Sequence, residues 1–113
     1  MAPAESESVC TAGFREYTDL IYAANQITKL DLDNYKYWRA QWVALLNGLE
    51  LWHLIAYPQT VPFYWFRRQD QLLLNAILIS ISQQFLRRLD VSQLTTAAEA
   101  WEEIANVAAK EYA

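Results

Sequence analysis

An all-α fold, a compact bundle of about five to six helices with a long central helix near 62–80, is predicted by three features of the chain. Apolar and aromatic residues recur at spacings of three and four along most of its length. Two Gly and three Pro in 113 residues are too few turn formers for a set of tight β-hairpins. The sequence is 54% hydrophobic and carries five Trp, seven Tyr and four Phe. A chain of this length can bury such rings in one core without disulfides or a metal.

Taken in order, residues 1–12 mix Ser, Glu, Ala and Pro without periodicity and are expected to be disordered, which leaves 13–113 as a single helical domain. Phe14, Tyr17, Ile21 and Ala24 predict a short amphipathic helix. Asp33 or Asn34 is placed to cap the next one, along which Tyr35, Trp38, Trp42, Leu45, Leu46 and Leu49 share a face. Gly48 is expected to supply a left-handed residue that ends or kinks it. LELWHLIAY then reads as a short helix stopped by Pro58.

Pro62 suits a first helical position because its missing amide hydrogen would have had no partner there. The helix that follows is apolar nearly all round in its second half, LLLNAILIS, so neighbours must cover several of its faces. Ser80 or Ser82 can cap a further short helix with Phe85, Leu86 and Leu89 inward. Thr96 and Glu99 have capping-box spacing ahead of a last stripe of Ala97, Trp101, Ile104, Ala105, Ala108 and Tyr112. The predicted core is Tyr35, Trp38, Trp42, Leu46, Trp52, Leu73, Ile77, Trp101 and Ile104.

The residues offer little chemistry. His53 is the single histidine and has no nucleophile at a recognisable spacing. Asp31, Asp33, Glu99, Glu102 and Glu103 fall at helix starts or on solvated faces, where capping and the helix dipole account for them. Gly13 and Gly48 are too far apart for a phosphate loop, and Cys10 alone builds neither a disulfide nor a thiolate metal site. The expectation is a protein without catalytic residues, cofactor or metal. A net charge of -4 opposes phosphate backbones and anionic lipid, so direct nucleic-acid binding is disfavoured. No apolar run is long enough for a bilayer and MAPAESESVC is not a signal peptide, which points to the cytoplasm with access to the nucleus.

Phe63, Tyr64, Trp65 and Phe66 present a packing problem. At about 100° per helical residue they fan over roughly 300°, so they cannot all enter one core. With Arg67 and Arg68 they form the candidate interface.

The stretches ITKLDLDNYKYWRAQWVALLNGLELWHLI, FRRQDQLLLNAILISISQQFL and LTTAAEAWEEI, across roughly 26–105, resemble the N-terminal part of the Gag polyprotein of copia-type LTR retrotransposons of plants. Asn34, Tyr35, Trp38, Leu46, Leu51, Trp52, Asp70, Leu78 and Trp101 match that pattern as framework positions. Phe66 stands where the family often has Trp, and VPFYWFRRQ is more aromatic than the pattern. The zinc knuckle, protease, integrase and reverse transcriptase of the full element are not in this sequence. The resemblance therefore implies a capsid-like domain from a Gag fragment, a truncated element or a host-domesticated copy. It implies association with itself or related Gag chains; an adaptor or peptide-binding domain that meets a host protein is the alternative.

Overall fold

The computed structural model describes residues 18–57 and 64–112, with side chains given for 18–57 and 67–110. Helix α1 is helical from 18 to 26, α2 is Tyr35–Gly48, α3 is His53–Ala56 and α4 is Tyr64–Ile79. Then come α5, Gln83–Leu86, a 3-10 turn at Val91–Gln93, and α6, Ala97–Tyr112. Among the described residues the architecture is all-α, as predicted, and the one non-helical pairing is a parallel bridge between Leu30 and Ile81. Pro58 and Pro62 lie outside the described residues.

The long apolar helix is the spine. Leu73, Leu74, Ala76 and Ile77 of α4 are buried, and α6 packs along it. α6 contributes Ala97, Ala100, Ile104, Val107 and Ala108. Its small Ala side chains suit close helix packing, and Ile104 is fully buried. α3 also packs on α6 and sends Leu54 inward. α2 closes the core with Trp38, Trp42 and Leu46, spaced four apart on one face.

Several local expectations change. In α1 the buried line is Leu20 and Ala24, continued by Ile27 just past its end, and Ile21 is only partly buried; Phe14 and Tyr17 lie outside the described residues. Leu20 and Ile21 are both apolar, so either stripe satisfies the pattern and packing selects one. Asn34 precedes α2 without capping it through its side chain. Its amide folds back instead, accepting from Asp31 N at 2.7 Å and donating to Lys29 O at 3.0 Å. In α6, Ala100 and Val107 are buried whereas Trp101 and Ala105 are only partly so.

Gly48 is not the left-handed residue. It remains helical, and Glu50 carries the positive φ, at 58°. Glu50 N donates to Asn47 O at 3.2 Å and Leu51 N to Leu46 O at 2.8 Å. These are the two bonds of a Schellman ending, in which buried Leu51 packs toward buried Leu46. The ending needs its left-handed residue where the chain supplies Glu, two positions after the glycine. A left-handed non-glycine residue costs about 1–2 kcal/mol, partly offset in a Gly replacement by greater chain entropy. Glu50→Gly should therefore stabilise the domain by up to about 1 kcal/mol in urea unfolding; a loss of stability would show that this turn is not strained.

Candidate functional site

The aromatic framework runs from the deepest part of the core to the surface. Trp42 and Trp38 are fully buried with ring centroids 6.2 Å apart. Trp38 meets Trp101 at 5.6 Å and Tyr35 at 6.1 Å, and Trp101 meets Trp52 edge-on at 5.9 Å. Tyr35, Trp52 and Trp101 are only partly buried, so the outer rings of this chain reach solvent. The exposed Arg39 completes the rim, its guanidinium carbon 5.9 Å from the Trp101 ring, an arrangement favoured by the ring quadrupole. Burial raises the Tyr35 phenol above its ordinary range, opposed by the charge and hydrogen bond of Arg39.

Burying two indoles requires acceptors for two N–H groups. Ser80, at the C-terminal end of α4, supplies them. Its hydroxyl accepts from Trp38 Nε1 at 3.1 Å and Trp42 Nε1 at 3.0 Å, and donates to Ile77 O at 2.6 Å. Its carbonyl accepts from Trp38 Nε1 at 3.1 Å and from Leu30 N at 2.8 Å. Ser82, not Ser80, caps α5, accepting from Phe85 N at 3.2 Å.

A second polar joint links α4 to the start of α6. The buried Asp70 carboxylate accepts from Ala97 N at 3.3 and 3.2 Å and from Gln71 Nε2 at 3.3 Å. Gln71 also donates to Thr95 O at 2.7 Å. The capping box forms as expected: Glu99 N donates to Thr96 Oγ1 and Thr96 N to Glu99 Oε1, both at 3.1 Å. Burial pushes the Asp70 carboxyl above its ordinary value, assisted by the negative Glu99 and opposed by the amides of Ala97 and Gln71. Glu99 moves down because the Thr95 side chain and amide, and then Thr96, donate to it.

Of the predicted interface, Phe63 and the side chains of Tyr64, Trp65 and Phe66 lie outside the described residues; Arg67 and Arg68 are exposed on α4. Of the predicted core, Trp38, Trp42, Leu46, Leu73, Ile77 and Ile104 are buried. Among the described residues the large apolar side chains in solvent are Tyr22, Tyr37, Tyr57 and Val91, with Tyr37 78% exposed on α2. His53 is half-buried. Among the described residues no group of three or more His, Cys, Asp or Glu could hold a metal ion, and no helix is long and apolar enough to cross a membrane.

No family model and no solved structure matches the chain. Two curated proteins of Arabidopsis thaliana are similar to it. The retrovirus-related Pol polyprotein from transposon RE2 is 35% identical over 98 residues, and that from transposon RE1 is 33% identical over 98 residues. This is a retrotransposon-related sequence. Each match covers 74% of the chain, which itself spans only 7% and 6% of those relatives.

In this retrotransposon-related chain the sequence marks Ser80 as a possible cap and the resemblance marks Asp70 as a framework position, without the bonds either makes. The available signal was one small hydroxyl closing the apolar run LLLNAILIS in a chain whose two inward-facing indoles each need an acceptor.

Ser80→Ala should destabilise the domain by about 1–3 kcal/mol, because Trp42 loses its acceptor while Trp38 keeps the Ser80 carbonyl. In a Trp42→Phe background the same change should cost clearly less, and equal costs in a double-mutant cycle would rule out the shared bond. Asp70 gives a pH signature. Its folded-state pKa is raised, so its contribution is full below its ordinary value of 3.8 and is lost as pH rises through the folded value. Urea unfolding from acid to neutral pH should show this decline in the wild type and not in Asp70→Asn; parallel profiles would exclude it.

Proposed function

We propose that this domain is a capsid-like Gag module that works by protein association, with itself or with related Gag chains, and performs no chemistry of its own. The observation that carries the reading is the match of most of the chain to a short stretch of two retrotransposon polyproteins. In the described residues that chain closes around one helical core.

The polar groups at the helix joints, buried Ser80 and Asp70 and exposed Glu99, support the same reading. Ser80, Asp70 and Glu99 are engaged in joining helices, through the indoles, the first turn of α6 and the threonines before it. What the molecule offers outward is helical surface bearing arginines and tyrosines, residue types that anchor protein contacts. Arg67 and Arg68 near the start of α4 belong to that surface. Repeated weak contacts between copies gain strength by multivalency in a lattice or shell, and a copy without neighbouring domains would add to such a lattice and stall it. The reading places these events in the cytoplasm.

Sedimentation velocity over a concentration series tests the reading. The weight-average mass should rise with concentration, and a monomer at the highest soluble concentration would overturn self-association.

A further inference from the structure

We infer that the outward face of α2 docks on a second copy of this chain, in the acidic cleft between the 3-10 turn and α6. The inference rests on the association reading above and names the two surfaces that meet.

Helix α2, YKYWRAQWVALLNG, carries Lys36 and Arg39 and no acidic residue. Both cations are exposed, as are Tyr37, Ala40 and Ala44. The face is therefore a basic rim around a solvated tyrosine, with small side chains that permit close approach of another surface. The cleft has the opposite character. Asp90, Glu99, Glu102 and Glu103 surround it, with Leu94 among its lining residues. Glu99 is engaged by Thr95 and Thr96, and Asp90 accepts from Ser92 Oγ at 2.6 Å, which leaves Glu102 and Glu103 foremost to meet incoming cations. Leu94 offers an apolar contact for a tyrosine ring, and a cation entering the cleft relieves repulsion among the carboxylates.

A second copy is the occupant because one molecule presents both halves of this complementary pair. The halves also adjoin: Arg39 of α2 sits over Trp101, the residue before Glu102. A surface with both signs side by side can meet its own copy about a two-fold axis, each basic edge facing an acidic one.

Complementary charge reversal tests this, read by sedimentation equilibrium at low and high salt with circular dichroism as the check on folding. Lys36→Glu and Glu102→Lys, each alone, should weaken association by about tenfold or more, whereas an equimolar mixture should recover it. Tyr37→Ala should weaken association without changing net charge, which separates the docking face from a general charge effect. Variants that associate like the wild type, or a mixture that fails to recover, would overturn this pairing while leaving self-association intact through another face such as the start of α4. A wild-type chain that stays monomeric would overturn both.

Discussion

Burying an indole removes its N–H from water, and the fold of this chain is organised around meeting that demand twice at one point. Ser80 stands where α4 ends and receives both Trp38 and Trp42, while its carbonyl also holds Leu30. Ser82 N returns a bond to Leu30 O at 2.9 Å, and Lys29 Nζ reaches Ile79 O at the end of α4 at 2.6 Å. The spine, α2 and the segment before α2 are thereby fixed to each other by a few directed bonds, most of them inside an otherwise apolar core and the Lys29 bond at its edge. Unlike the hydrophobic contacts around them, these bonds specify distance and angle, so they set the register in which α2 lies on α4.

The Asp70 joint plays a corresponding part at the start of α6. A carboxylate from one helix ends at the first turn of another, where free amides and the helix dipole favour negative charge. Thr96 and Glu99 hold the same turn from within α6. Desolvation raises the Asp70 carboxyl even so, because the bonds it gains do not fully replace the water it has lost. The interior polar groups are thus occupied with assembly of the fold, and the surface carries the segregated features. Basic and aromatic groups occupy α2, and carboxylates gather beside α6.

Helix type and inward faces were legible wherever the apolar spacing admitted one solution. Trp38, Trp42 and Leu46 on α2 are such a case, as are Thr96 and Glu99 at the start of α6. Inward faces were ambiguous where neighbouring residues were equally suited. Leu20 and Ile21 compete for the same side of α1, and the pull of surrounding rings leaves Trp101 at the rim while Ala100 is buried. Gly48 misled for a related reason. A glycine near a helix end signals a left-handed turn, yet Leu51 must return to Leu46, and that contact places the turn at Glu50. The candidate interface was legible only as a packing conflict among adjacent rings, since angular spacing alone does not assign a partner to any of them.

By itself the sequence determined that the chain forms helices, which residues are apolar enough to form their inner faces, and the relationship to retrotransposon polyproteins. Local spacing and chemistry suffice for these, because helical periodicity and capping act over a few residues. Only the tertiary structure decided that Ser80 serves two indoles instead of capping α5, that Asp70 caps a helix 27 residues away, and that Arg39 lies over Trp101 beside the acidic cleft. Those pairings join positions far apart along the chain, and their partners are chosen by three-dimensional packing, a quantity that no local pattern encodes.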